Sequence, residues 1–179
     1  MTVTHLLLLK DEVKKQGCHK VSAKLCTSLL RYCKEIRADK AFLDAGEANR
    51  KIGNNDMAVI FLNRYIDLHD AIEDPVANGI TENAEFESTD IPSPYDISLP
   101  ETNLMSADKR QEILDWVLEV NMDGSLGQAL PTRTCEFCNN PDLYEASLQC
   151  PGCNSRWEPC CVTGYPLVKT MSIECKSCG

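Results

Sequence analysis

The sequence predicts a mainly α chain of helical hairpins followed by a small α+β cysteine-rich domain. Three observations predict it. Apolar residues recur at helical spacing through the first seventy-three residues, an acidic and proline-broken stretch follows, and eight of the eleven cysteines crowd into the last forty-five positions. The organisation expected is a helical solenoid end over 1–73, an acidic proline-rich linker over 74–105, a connecting helix and turn over 106–134, and a cysteine-rich domain over 135–179.

In the first region, Leu6, Leu9 and Val13 fall on one helical face and Val21, Leu25, Leu29, Tyr32 and Ile36 on another, with Gly17 between them. A second helical pair runs from Ala41, Phe42 and Ala45 to Ile52, breaks at Gly53, and resumes with Ala58, Phe61, Leu62, Tyr65 and Ile66. Gly53 suits the left-handed backbone just past a helix end, and Asn55 or Asp56 is placed to cap the next helix. Cys26 and Cys33 share a face and read as core packing, whereas His5, His19 and His69 read as surface or capping residues.

The net charge of −9 is unevenly spread. Residues 1–73 hold twelve basic and ten acidic side chains, whereas 74–105 holds seven acidic and no basic ones. The tail has only Arg156, Lys169 and Lys176 against five acids, and no histidine. A nucleic-acid partner is therefore not expected, because phosphate binding gathers lysine and arginine on one face. Two readings of 74–105 stay open: an extended linker, or a strap that lays Phe86, Ile91, Tyr95, Ile97 and Leu99 on a neighbouring surface. Ser106 then opens a helix carrying Ile113, Trp116, Val117 and Val120, with Leu114 and Leu118 widening the stripe, and Gly124 closes it. No apolar run reaches the length of a membrane span and no leader pattern is visible, so a soluble chain in a reducing compartment, without membrane insertion, is expected. The first and last residues suggest a piece of a longer protein.

The tail carries the chemistry. Cys135-x-x-Cys138, Cys150-x-x-Cys153, Cys160-Cys161 and Cys175-x-x-Cys178 have metal-ligand spacing, since a CxxC turn sets two thiolates on one side of a tight knuckle. In a reducing compartment such pairs bind metal more often than they form disulfides. The simplest assignment is one structural zinc on Cys135, Cys138, Cys150 and Cys153. A second on Cys160, Cys161, Cys175 and Cys178 and an interleaved pairing both stay open, and four cysteines also suit an iron–sulfur cluster. An all-cysteine site has no open coordination position, and the redox alternative lacks a βαβ setting, so no catalytic residue is assigned.

From Asp39 to about Ile72 the order Phe42, Gly46, Gly53, Ala58, Leu62 and Tyr65 resembles a tetratricopeptide repeat, which implies stacking against further helical units. The run from Ser155 through Trp157, Pro159, Cys160, Cys161, Gly164, Tyr165 and Pro166, with the two CxxC pairs, Leu114-Asp-Trp116-Val and Leu130-Pro-Thr-Arg133, resembles the C-terminal region of a family of large intraflagellar transport (IFT-B) subunits. That resemblance implies WD-repeat propellers and a long solenoid elsewhere in the protein. It also implies motor-driven work in cilium assembly, other transport subunits as partners, and a location in the cilium or flagellum and the cytoplasm. The tail is also similar to RING and U-box domains, which recruit a ubiquitin-conjugating enzyme and have no nucleophile of their own. This implies a ubiquitin-ligase or ubiquitin-binding role and makes Phe137, Pro151, Tyr165 and Pro166 candidate partner contacts. A U-box would replace zinc by polar contacts.

Overall fold

In a computed structural model, residues 3–76, 79–80, 82–122, 124, 127 and 129–168 are described. Among them five α-helices run in order: α1 (Val3–Lys15), α2 (His19–Leu29), α3 (Ala38–Lys51), α4 (Asn55–Glu73) and α5 (Ala107–Met122). A two-stranded antiparallel sheet follows, β1 (Thr132–Arg133) against β2 (Leu143–Tyr144), with Thr132 opposite Tyr144 and Arg133 opposite Leu143. The mainly helical chain with a small cysteine-bearing sheet region is the predicted class. Among the described residues no helix is long and apolar enough to cross a membrane.

Each helix packs on its neighbour in sequence, and α3 with α4 forms the central hairpin. Its turn is chemically specified. Gly53, at φ +77°, donates to the Arg50 carbonyl at 3.1 Å and Asn54 to the Asn49 carbonyl at 3.0 Å. This pair of bonds satisfies helix-end carbonyls, and the left-handed residue between them favours glycine. The expected cap at Asn55 or Asp56 is shifted: α4 begins at Asn55, and the side chain of the preceding Asn54 turns back to donate to Asn49 Oδ1 at 3.2 Å. Asn49 is buried and its own amide donates to the Ala45 carbonyl and Thr27 Oγ1, so one polar cluster joins α2, α3 and the turn. Lys10 of α1 reaches Asp44 of α3 at 2.7 Å. Burial opposes ionisation of Asp44, but Lys10 and Lys40 outweigh it and hold the carboxyl below its ordinary range.

The acidic stretch is a strap, which resolves the two open readings. Phe86 enters the main core with Phe42 and Phe61, its ring 5.6 Å and 6.4 Å from theirs, and Ile91 is buried beside it. Tyr95 and Leu99 remain exposed. The charges that looked unpaired in sequence meet cations of the helical region, Glu85 with Arg64 on α4, and Asp90 and Asp96 with Arg31 and Lys34 in the turn after α2. Helix α5 lies on α4 through buried Ile113 and Val117, with Arg110 paired to Asp70, while Leu118 faces outward and Arg50 stacks on Trp116. Ser106 Oγ accepts from the Lys109 amide at 3.3 Å, as a cap does.

His69 departs from the surface reading. It lies buried within α4, its ring edge-on to Tyr65 at 6.0 Å. His5 donates through Nε2 to the Cys161 carbonyl at 2.9 Å, tying α1 to the tail. Cys26 and Cys33 are core residues, their thiols pushed up to about 11 and about 12 chiefly by burial. Reactivity follows the thiolate, so iodoacetamide at pH 8 is expected to label exposed Cys18 faster than Cys26 or Cys33 by about two orders of magnitude, read by peptide mass spectrometry. Comparable labelling would show that α2 and its following turn open readily.

Candidate metal centre

Among the described residues, the tail is built from three turns of one backbone design. In each, a cysteine at the first position accepts from the amide four residues on and donates to the carbonyl five residues on. Asn139 donates to Cys135 at 3.0 Å and Cys135 to Asn140 at 2.8 Å; Asn154 donates to Cys150 at 2.9 Å and Cys150 to Ser155 at 2.9 Å; Gly164 donates to Cys160 at 2.8 Å and Cys160 to Tyr165 at 2.7 Å. The fifth residue is left-handed in all of them, with φ of 59° at Asn139, 59° at Asn154 and 73° at Gly164. Asparagine and glycine tolerate that geometry, which is why each follows its turn.

The first two turns face each other. Cys135 Sγ lies 3.7 Å from Cys153 Sγ, and Cys138 Sγ lies 3.7 Å from Cys150 Sγ. All four sulfurs are within 4.8 Å of one another. A tetrahedral zinc with bonds of about 2.3 Å needs sulfurs separated by about 3.8 Å, so the donor set fits the ion in number, type and spacing. These distances are far too long for disulfides, and the cysteines are free. Ser155, through its hydroxyl and backbone amide, holds the Cys153 thiol down at about 6. The Asn140 amide pulls the Cys138 thiol down too, but burial and the three neighbouring sulfurs together push it up to about 12. Four sulfurs this close cannot all ionise without a cation among them, and a divalent ion supplies that charge.

Cys135 and Cys150 are buried in a small core with Leu143, Trp157 and Val168. Arg133 lies over the Trp157 ring with its guanidinium carbon 3.9 Å from the centroid, and Phe137 meets the same indole at 5.7 Å.

The third turn stands apart. Its fourth position, where the others have Cys138 and Cys153, is Thr163. Cys160 is therefore a knuckle residue in its own right and not half of a pair with Cys161, which is exposed and offers its carbonyl to His5. Neither sulfur joins the four-cysteine cluster. Among the described residues the geometry brings together the first and second pairs, as in the simplest assignment, and not the first and third as in the interleaved one. Cys175 and Cys178 lie outside the described residues.

This turn docks on the helices. Ser28 Oγ donates to the Thr163 carbonyl at 2.7 Å, and Arg31 donates to the Gly164 carbonyl and, at 3.0 Å, to the Ala146 carbonyl. A Cβ at Gly164 would stand 2.7 Å from Ser28 Cβ, so the close approach requires glycine as much as the positive φ does. Asp90 completes the junction: it faces Arg31 Nε at 3.7 Å and accepts from the Leu148 amide at 2.8 Å. Tyr144 and Ala146 are buried in the main helical core.

The candidate contact residues divide accordingly. Phe137 and Pro151 are exposed beside the sulfur cluster. Tyr165 instead packs on the helical core with Lys24 over its ring at 4.9 Å, and Pro166 is partly covered and bridged to Pro159. The face Tyr165 would offer a partner is taken by this chain's own helices. Sequence reading missed Ser28, Arg31, Asp90, Arg133 and Thr163. Only Thr163 left a usable signal, since Cys160-x-x-Thr163-Gly164 repeats the knuckle spacing with one sulfur exchanged.

No protein-family model matches the chain. It is 41% identical over 165 residues to intraflagellar transport protein 172 of Chlamydomonas reinhardtii, covering 91% of this chain and 9% of that protein. The Homo sapiens homologue of that protein is 41% identical over 159 residues, 89% of this chain and 8% of the relative. Intraflagellar transport protein osm-1 of Caenorhabditis elegans is 32% identical over 174 residues, 93% of this chain and 9% of the relative. The chain thus spans less than a tenth of the length of these curated relatives.

Proposed function

Over nearly all of its own length the chain is homologous to the intraflagellar transport protein 172 family, and on that premise we propose that it is the adaptor end of an intraflagellar transport (IFT-B) subunit acting in cilium assembly. Its helical hairpins continue a tetratricopeptide-like solenoid, and the cysteine-rich unit from 135 onward is a cap stiffened by one structural zinc. The observation that carries the adaptor reading is the junction itself: Ser28, Arg31 and Asp90 hold the third turn and the segment after β2 against the helices, so helices and cap offer one continuous surface. Rigid composite surfaces of this kind suit assembly with other transport subunits in the cilium or flagellum and the cytoplasm.

When bound, zinc would supply a cross-link between the first two turns and no chemistry of its own, because four thiolates leave no open position. Cys135 and Cys150 would hold it from the buried side, and Cys138 and Cys153 from nearer the surface.

Deleting residues 135–179 from the full chain is expected to lower co-purification of other transport subunits from ciliated cells by at least about fivefold. Recovery equal to that of the intact chain would overturn the adaptor reading. A second reading rests on Phe137, which is 58% exposed beside the cluster despite its size. It has the cap engage ubiquitin or a ubiquitin-conjugating enzyme, with Pro151 as the neighbouring contact. Conjugates formed with activating enzyme, conjugating enzymes and ubiquitin, and lost in Phe137→Ala, would support it; neither conjugates nor tail NMR shifts on ubiquitin addition would remove it.

A further inference from the structure

A closed four-thiolate zinc site carries a net charge of −2, which is costly to hold against an apolar wall such as Trp157 unless a cation stands nearby. Among the described residues, Arg133 is a fixed cation beside it. Arg133 on β1 donates from Nε to the Glu145 carbonyl at 3.3 Å and from Nη2 to the Ser147 carbonyl at 3.1 Å, and its plane lies on the Trp157 ring that walls Cys135 and Cys150. Its Nη1 is buried without a hydrogen-bond partner among the described residues. A guanidinium held this rigidly, with one nitrogen left unsatisfied, is explained only in part by the two carbonyls it braces. Arg133 stands two positions before the ligand Cys135 in the chain, and the indole beneath its guanidinium packs with Cys135 and Cys150.

We propose that Arg133 is the counter-cation of the four-cysteine centre: a positioning residue that offsets the charge of the metal–thiolate unit and sets its metal affinity, with Trp157 as the platform that fixes the guanidinium. The inference rests on the zinc reading of the four sulfurs. It goes beyond that reading by assigning a residue outside the ligand set to metal retention. Lysine at this position would keep the positive charge but lose the planar fork and much of the stacking. Glu136 is the local opponent, an acid next in sequence to a ligand that adds negative charge where Arg133 subtracts it.

The test is competition of zinc against a chromophoric chelator, with cobalt(II) absorption as a check on tetrahedral thiolate coordination and circular dichroism as a check on folding. The full chain is compared with Arg133→Met, Arg133→Lys and Glu136→Gln. Outer-shell partners of metal ligands commonly govern affinity by about 10- to 100-fold. Arg133→Met is expected to weaken zinc binding within that range, Arg133→Lys to stay within about threefold of the unaltered chain, and Glu136→Gln to bind more tightly. Equal affinity in Arg133→Met overturns the proposal. Equal losses in the Met and Lys variants also overturn it, since they assign Arg133 to bracing the Glu145 and Ser147 carbonyls. Should Arg133→Met not fold, Glu136→Gln and Arg133→Lys decide by the same readout, with unchanged affinity in the former counting against the proposal. An unaltered chain that gives no tetrahedral cobalt spectrum is a distinct outcome, in which the metal reading itself fails.

Discussion

Replacing Cys150 with serine is expected to abolish zinc retention and unfold the two facing turns, while α1 to α5 keep their helical signal. The physical case is one of scale. The core around the sulfurs consists of Cys135, Leu143, Cys150, Trp157 and Val168, and the sheet beside it has two residues per strand. Burying so few apolar side chains, at about 1.5–3 kcal/mol each, cannot offset the conformational entropy of ordering the surrounding loops. A structural zinc contributes about 10–16 kcal/mol of apparent binding free energy, which here is folding free energy of the turns. The loss should stay local, because Tyr144, Ala146 and Tyr165 are anchored in the helical core. Elemental analysis should fall from about one zinc per chain to none, and amide exchange should accelerate at residues 135–140 and 149–157 with little change in α3 and α4. If the variant keeps full protection in those turns, polar contacts and not metal hold the cap, as the U-box resemblance implies.

Arg31→Met is expected to be the most damaging change outside the sulfurs, at about 3–5 kcal/mol, the usual cost of breaking a buried charge pair by removing one partner. Arg31 and Asp90 are 7% and 19% exposed, so the carboxylate left behind has little water to turn to. The carbonyls of Ala146 and Gly164 lose their donor in the same step. Denaturant titration should show the loss directly, and exchange should locate it at 143–148 and 160–165. The pH dependence has a definite sign. Burial holds the Asp90 carboxyl above its ordinary range, with Arg31 as the largest opposing influence. The folded state therefore keeps the proton more tightly than the unfolded chain, and stability falls as pH rises from the ordinary carboxylate range through the raised value. Removing Arg31 widens that window, so the deficit should be greater at pH 7.5 than at pH 6. A deficit below about 1 kcal/mol, or one independent of pH, would show that the junction does not depend on this pair.

Asp90 also illustrates where reading the chain runs out. It sits among seven acids with no basic neighbour in sequence, a composition that suggests a solvated linker. Its partner lies fifty-nine positions earlier, on a turn whose local pattern marks Arg31 as one more surface cation. Phe86, Ile91, Tyr95, Ile97 and Leu99 hinted that the stretch is held, and of these Phe86 and Ile91 are the buried ones. Likewise the Cys160-Cys161 doublet drew attention to two sulfurs, whereas the backbone uses Cys160 with Thr163 and leaves Cys161 outside.

Properties set by local chemistry were determined by the sequence alone. Helical spacing and Gly53 specify the central hairpin, and CxxC turns followed by asparagine specify two thiolate knuckles, because each depends on residues within a few positions of one another. Tertiary structure alone decided which knuckles face each other, that the third docks on α2, and that Ser28, Arg31 and Asp90 join cap to helices. Docking of the third knuckle and the Ser28, Arg31 and Asp90 contacts depend on charge pairing, desolvation and close backbone approach between segments more than fifty residues apart, the facing of the first two knuckles depends on the return of the chain between them, and nothing in local spacing encodes either.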